Sequence, residues 1–330
     1  MKMNDTRQND HWSIILAGGE GTRIRHMVEQ WLGYHKPKQF CAFTGKRSML
    51  QHTWDRADQL TLPQQKVTVV GQEHRREVWS QFNNRRVGKV VVQPRNCDTA
   101  AGVFLPLTYI RAQNPEATVV IYPSDHFVFP EKPFMETVHR AVKTAEFQAD
   151  RVILVGVFPT SLELEYGWIF PGKSLGWNAG SPVCEVKSFL EKPERANAQA
   201  AMEAGALWNT MVMAGKIETL WNLGRRCFPD LMDLFEKLGP SIGTPEEGQV
   251  LESIYRGMPT RNFSSDLLQQ IPDQVGVVEL RKVTWSDWGR PERILETLQT
   301  LGKSPSFPVT APVSGFRFPQ AIGTLRQAQL

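Results

Sequence analysis

Five short segments of this 330-residue chain carry side chains suited to handling phosphate, and they fall in one order along it. The first, Leu16-Ala-Gly-Gly-Glu-Gly-Thr-Arg23, follows the apolar run Trp12 to Leu16 directly. Gly18, Gly19 and Gly21 have no Cβ, so backbone N–H groups can close on an anion and the chain can take positive φ. Arg23 adds charge. The segment lacks the Gly-Lys-Ser/Thr ending of a P-loop and the third glycine of a dinucleotide-binding turn, so neither of the two commonest phosphate fingerprints is present. By itself, such a cluster is as often a tight structural turn.

The second segment is Lys36-Pro-Lys-Gln-Phe40, in which a proline limits the freedom of two lysines. A lysine held there is a point charge for phosphate; a solvated basic loop is the plain alternative. Third comes Tyr122-Pro-Ser-Asp-His126, at the end of a hydrophobic strand. A carboxylate in that position is a common holder of Mg²⁺, which completes its shell with water and phosphate oxygens. A turn or cap aspartate is the alternative. His126 reads as a packing or capping residue, because magnesium disfavours imidazole. The fourth, Phe189-Leu-Glu-Lys-Pro193, sends Glu191 and Lys192 to opposite faces unless the strand ends there, as Pro193 suggests; a surface ion pair would also account for it. The fifth, Thr284-Trp-Ser-Asp-Trp-Gly289, supplies a second strand-end carboxylate, Asp287, which could join Asp125 on one Mg²⁺ or serve as a turn residue.

These residues need a scaffold. Apolar runs at Ser13 to Leu16, Val67 to Val70, Val90 to Val92, Thr118 to Tyr122 and Val152 to Val157 read as buried strands. Amphipathic stretches at Met49 to Leu60, Ala100 to Ala112 and Phe134 to Phe147 alternate with them, which predicts an α/β fold with a mostly parallel central sheet. Ligands collect at the carboxyl ends of such strands, where the glycine loop and Asp125 both fall. The second half is more mixed. Val183 to Leu190 and Leu207 to Met213 read as strands around a helix at Ala196 to Ala204, with a late strand pair at Val275 to Leu280 and Lys282 to Trp285. Further helical patterns lie at Ile217 to Leu223, Leu231 to Leu238, Gln249 to Tyr255 and Glu292 to Leu301, and this half is expected to form a lid, mainly over 160–290. The boundaries expected are a flexible tail at 1–11, a catalytic domain at 12–302 and an extended or disordered tail at 303–330. No hexapeptide repeat of the kind that builds a β-helix is present.

Composition narrows the class of partner. Lys plus Arg number 38 against 34 Asp plus Glu, a net charge of +4 with no basic block, so nucleic acid is not an expected partner. No run reaches the roughly 20 apolar residues of a membrane helix, and the start is polar, so no membrane partner is expected. Cys41, Cys97, Cys184 and Cys227 are scattered without a Cys-x-x-Cys pair, which fits a reducing, cytoplasmic setting.

The ordered set Gly-Gly-x-Gly-Thr-Arg, Pro-Lys-Gln-Phe, Pro-Ser-Asp-His, Glu-Lys-Pro, Trp-Asn and Trp-Ser-Asp-x-Gly resembles the sugar-1-phosphate nucleotidylyltransferases, over roughly residues 12 to 300. Pro-Lys-Gln-Phe, Pro-Ser-Asp-His and Leu207-Trp-Asn209 point to the mannose-1-phosphate guanylyltransferase branch. That resemblance implies a Rossmann-like core with a smaller mixed α/β sugar-binding part, and transfer of a nucleoside monophosphate from an NTP, expected to be GTP, to a sugar 1-phosphate, expected to be mannose 1-phosphate. It implies that Leu16, Ala17, Gly18, Gly19, Gly21, Thr22, Arg23 and Lys38 meet the nucleotide, with Gln93 at the base edge and Thr99 and Asp125 beside it. Tyr166, Gly167, Glu191, Lys192 and Asn209 would meet the sugar phosphate. Arg23, Lys38, Asp125, Lys192 and Asp287 would be catalytic, with Asp125 and Asp287 holding Mg²⁺.

The reaction would be in-line attack of the sugar phosphate on the α-phosphate, governed by positioning and charge. A homodimer is compatible with this reading. Three competing readings keep part of it: another sugar 1-phosphate and NTP pair such as glucose 1-phosphate, a catalytically silent sugar-nucleotide regulator, or a glycosyltransferase, whose Asp-x-Asp motif is missing. The chain departs from the family pattern at Asn96-Cys-Asp-Thr-Ala-Ala-Gly102, where Cys97 and Asp98 look inserted. It departs again at Glu165-Tyr-Gly-Trp-Ile169, where Gly-Tyr-Gly-Tyr-Ile is usual, and over Met27 to His35, which replaces a shorter link.

Overall fold

The computed structural model describes residues 10–83, 85–178 and 181–309. Its strands are β1 (His11–Leu16), β2 (Lys66–Gly71), β3 (Lys89–Gln93), β4 (Thr118–Pro123), β5 (Phe127–Phe129), β6 (Val152–Val157), β7 (Gly167–Asn178), β8 (Ser181–Glu191), β9 (Leu207–Lys216), β10 (Val275–Leu280) and β11 (Thr284–Ser286). Nine of them form one sheet in the order β3-β2-β1-β4-β9-β6-β10-β8-β7, while β5 and β11 pair separately. The first four neighbours are parallel, as are β6 and β10. Only β8 and β9 run against the rest, so the expected mostly parallel α/β sheet is what forms. Every residue of β2, β4 and β6 is buried, as the unbroken apolar runs require of strands covered on both faces.

The helices are α1 (Arg25–Leu32), α2 (Met49–Asp58), α3 (Arg75–Ser80), α4 (Asp98–Gln113), α5 (Glu131–Phe147), α6 (Arg195–Glu203), α7 (Ile217–Cys227), α8 (Pro229–Leu238), α9 (Glu247–Arg256), α10 (Phe263–Asp266) and α11 (Pro291–Thr300). Strand alternation divides the core. Ile14 and Ile121 join α4, α7 and α8 on one face of the sheet, whereas Ile15 and Val120 join α2 and α5 on the other. A third apolar cluster, around Val28, Phe43, Trp288, Leu298 and Phe307, locks α1 and α11 together at the end of the sheet that carries the glycine loop.

Two sequence expectations are corrected. The second half does not simply cover the sheet: β7 to β10 are built into it, because strands such as Val275–Leu280 are apolar on both faces and belong inside. The expected late pair also divides, with β10 between β6 and β8 and β11 paired to β5. Strand β7 escaped the pattern because Pro171, Gly172 and Gly176 interrupt its alternation, and its pairing with β8 shifts register there. From Lys303 to Val309 the chain forms neither helix nor strand and packs back on the domain, with Ser306 N donating to Phe43 O at 2.8 Å and Phe307 buried. Of the expected tails at 1–11 and 303–330, residues 1–9 and 310–330 lie outside the described residues.

Candidate active site

The glycine loop is held from beneath. The buried Gln39 amide donates to the carbonyls of Ala17 (2.9 Å) and Gly19 (2.8 Å), fixing the loop's curvature. Ser124 takes up the Leu16 carbonyl, through its hydroxyl at 2.7 Å and its N–H at 3.0 Å, tying β1 to the end of β4. Gly21 has φ of +62°, and a Cβ there would come within 2.9 Å of Lys38 N, so the loop and the Lys38 turn can approach only through glycine. A Cβ on Gly18 would meet Gln93 Oε1 at 3.2 Å; Gln93 Nε2 in turn donates to the Tyr255 hydroxyl at 3.0 Å. Thr22 opens a short 3-10 turn that delivers Arg23 to the cleft.

The small sheet brings the two aspartates together. Ser286 pairs with Phe127 in the antiparallel β5–β11 ladder, so Asp287 and Asp125 emerge beside one another although 162 residues apart in sequence. Trp288, with φ of +46° and its ring stacked on Phe127 at 4.4 Å, turns the chain sharply after Asp287.

Around these carboxylates lies a dense set of cations. Lys38, 4% exposed, places Nζ 2.8 Å from Asp125 Oδ2 and also donates to the Asp287 carbonyl. Asp287 Oδ1 accepts from the Tyr166 hydroxyl at 2.6 Å, from Gly289 N at 3.0 Å and from Arg293. Its Oδ2 accepts from Arg23 at 3.0 Å, and Arg23 also donates to Glu165. Burial pushes the Asp287 carboxyl up, but Lys38, Arg293 and the Tyr166 hydroxyl outweigh it and hold the group well below the usual carboxylate range. Asp125 is likewise lowered, because Lys38 and His126 overcome its desolvation. Tyr166 is raised by burial and by Asp287, so its phenol stays protonated and donates. His126 is lowered by burial, and its Nδ1 lies 3.2 Å from the Thr210 carbonyl.

On the other side of Tyr166 the geometry is looser. Strand β8 ends at Glu191, and Lys192 then takes φ of +45°, so the two side chains do not part but sit with Nζ 3.8 Å from Glu191 Oε1. Lys192 N donates to the Tyr166 carbonyl at 3.2 Å, joining the two clusters, yet its side chain is 61% exposed. Burial raises the Glu191 carboxyl against the pull of Lys192. Gly167 lies under it, where a Cβ would sit 2.8 Å from Glu191 Oε2. Asn209 is buried and turned onto Met211, accepting from its N–H at 3.0 Å. The Thr99 hydroxyl is taken by Phe263 N at 2.8 Å, in a turn where Asp98 holds φ of +63°.

Arg23, Lys38, Asp125, Tyr166 and Asp287 therefore converge, and Gly167, Glu191 and Lys192 adjoin them. The sequence reading missed Gln39 as the support of the glycine loop, Glu165 as a partner of Arg23, and Arg293 as a partner of Asp287. Gln39 had a local signal in its place inside Pro37-Lys-Gln-Phe40, and Glu165 one in replacing the usual first glycine of Gly-Tyr-Gly-Tyr-Ile; Arg293 had none.

A profile of the nucleotidyl transferase family matches residues 12–304. The chain belongs to that family. It is 27% identical over 299 residues to a mannose-1-phosphate guanylyltransferase of Escherichia coli, covering 89% of this chain and 62% of that protein. A xanthan biosynthesis protein, XanB, of Xanthomonas campestris pv. campestris (strain B100) is 26% identical over 89% of this chain and 61% of its own length. The chain thus spans about three-fifths of the length of these curated relatives. Among solved structures, one described as a mannose-1-phosphate geranyltransferase from Thermus thermophilus superposes with a TM-score of 0.72 at 24% identity, over 87% of this chain and 79% of that one. It shares the mixed α/β fold with a large sheet, so the transferase carries its candidate site at the strand ends of a known architecture.

Proposed function

We propose that this nucleotidyl transferase moves a nucleoside monophosphate from an NTP, with GTP as the nucleotide, to mannose 1-phosphate, giving GDP-mannose and pyrophosphate. The observation that carries the reading is the convergence of Arg23, Lys38, Asp125 and Asp287, from four separate segments, at the carboxyl end of the sheet. Likeness to relatives named for mannose-1-phosphate guanylyl transfer supports the choice of substrates.

A divalent metal is in keeping with the family, and the donors suit a hard ion. Asp125 and Asp287 offer oxygen only, they lie close enough to repel one another, and Asp125 Oδ1 has no donor within hydrogen-bond distance among the described residues. Asp125 and Asp287 would hold Mg²⁺, which when bound neutralises charge on the phosphates. The protein's own groups do the rest. In this reading the glycine loop cradles the triphosphate, and Arg23 exchanges Glu165 and Asp287 for phosphate oxygens. Lys38, pinned by Asp125 and the Asp287 carbonyl, stays as a fixed positive charge at the α-phosphate. Lys192 steers the sugar phosphate. An anionic oxygen of that phosphate attacks the α-phosphorus and forms the new P–O bond as the α–β bridge breaks. Pyrophosphate leaves with the electron pair, and no general base is required.

Pyrophosphate release measured across a grid of NTPs and sugar 1-phosphates tests the reading. The expected maximum is GTP with mannose 1-phosphate. A higher kcat/KM for another pair would replace the substrates, and no release with any pair would reject the activity.

A further inference from the structure

The glycine loop carries one acidic residue, Glu20, that the transfer chemistry leaves unused. It reaches toward the turn after β2, where Glu73 and His74 follow one another. One donor atom from each of these three residues can be chosen so that all lie within 4.8 Å of one another. His74 is 5% exposed, and its ring lies beside the two carboxylates, which are close enough that Glu73 adds to burial in raising the Glu20 carboxyl, with Nε2 3.6 Å from Glu20 Oε2 and Nδ1 3.8 Å from Glu73 Oε1. Neither separation is a hydrogen bond, and the buried Nδ1 has no hydrogen-bond partner among the described residues. Burial lowers the His74 pKa despite the pull of Glu73 and Glu77. Arg25, five residues after Glu20 in sequence, is already paired with Glu29 at 2.8 Å. His35, on the segment that precedes Lys36, adds a second buried imidazole Nδ1 without a partner among the described residues and is close enough to influence Glu20.

We propose that Glu20, Glu73 and His74 form a site for a divalent transition metal ion, separate from the Asp125 and Asp287 carboxylates. Two carboxylates and a neutral imidazole suit zinc, cobalt or manganese and not magnesium. Such an ion lies about 2.0 to 2.2 Å from each nitrogen or oxygen donor, so the observed spacing closes by small side-chain rotations. Glu73 is exposed and Glu20 half-buried, which leaves an entry path and an open coordination position. Glu20 sits between Gly19 and Gly21, so an occupied site would staple the phosphate loop to the β2–α3 turn and set how far that loop can open.

Equilibrium dialysis of the full chain against Zn²⁺, with millimolar Mg²⁺ present to occupy the paired aspartates, reads the site directly. The expected result is one Zn²⁺ per chain that Mg²⁺ does not displace, with affinity reduced about 10-fold or more in Glu20→Gln and His74→Gln and retained in Asp125→Asn. Co²⁺ should give visible absorption bands that disappear in His74→Gln. Zn²⁺ binding that Mg²⁺ abolishes, or that neither Glu20→Gln nor His74→Gln weakens, would overturn the proposal. If His74→Gln fails the circular-dichroism check for folding, the less buried Glu20→Gln decides alone.

Discussion

The two sides of the cleft handle charge in opposite ways. On the glycine-loop side, Arg23, Lys38, Asp125 and Asp287 are already paired with one another or with Glu165, Tyr166 and Arg293. On the Lys192 side, a single long contact of 3.8 Å to Glu191 leaves the ammonium in solvent. On the proposed function, a triphosphate must therefore exchange existing ion pairs for its own, whereas a sugar phosphate meets a cation that is largely free. The first side is preorganised and its buried members, Lys38 and Asp287, also stabilise the fold; the second can be altered with little structural cost.

The sharpest way to break that contrast is at Asp287. Asp287→Ala removes a buried carboxylate from Arg23, Arg293 and Tyr166, so it should abolish measurable turnover and destabilise the protein by about 3 kcal/mol in denaturant titration. Next in size, Arg23→Ala should reduce kcat about 100-fold to 1000-fold, worth about 3 to 4 kcal/mol in the transition state. Its melting temperature should stay near the wild-type value, since the side chain is 46% exposed. A kcat near that of the parent would remove Arg23 from the mechanism.

The same contrast has a pH signature. Because Asp287 is held below its ordinary value of 3.8, its contribution is fully present above about pH 4 and is lost as pH falls through the lower native value. Thermal melts between pH 5 and 2 should show a steeper loss for the wild type than for Asp287→Asn; parallel slopes would contradict this. Lys192→Ala, on the open side, should raise KM for the sugar phosphate about 10-fold, the loss of roughly one charged contact, while leaving the melting temperature and the KM for NTP unchanged. The smallest effect is expected at Glu165→Gly, which releases Arg23 and Arg290 from a partly exposed carboxylate. Once screened by solvent, that pair is worth under about 1 kcal/mol, so KM for NTP should fall only a few-fold.

What the sequence could disclose follows the same division. Lys38, Asp125 and Asp287 stand in short motifs at strand ends, where a local pattern reports both the element and the chemistry. Glu165 stood out only as a departure from the usual Gly-Tyr-Gly-Tyr-Ile, with nothing to name its partner, and Arg293 left no trace. Glu165 meets Arg23 across 142 residues and Arg293 meets Tyr166 across 127, and a lone charge in sequence looks like any solvated one. The strands of the parallel half were readable from their apolar runs. Their neighbours were not: nothing local says that β9 inserts between β4 and β6, or that β11 leaves its sequence neighbour for β5. Strand β7 was missed because its glycines and proline, which accompany the register shifts, erase the periodicity that marks a strand.

The pairing of β11 with β5 also sets when the protein becomes competent as it is made. A chain stopped after Leu280 already contains all nine strands of the large sheet, the glycine loop and Lys38. It lacks Asp287, Trp288 and α11, and so has neither the second carboxylate nor the wedge that seats it. Synthesis from the N-terminus thus supplies the glycine loop and Lys38 first and Asp287 only within the last tenth or so of the described chain; on the proposed function, a chain clipped after Leu280 lacks one of the two carboxylates of the site.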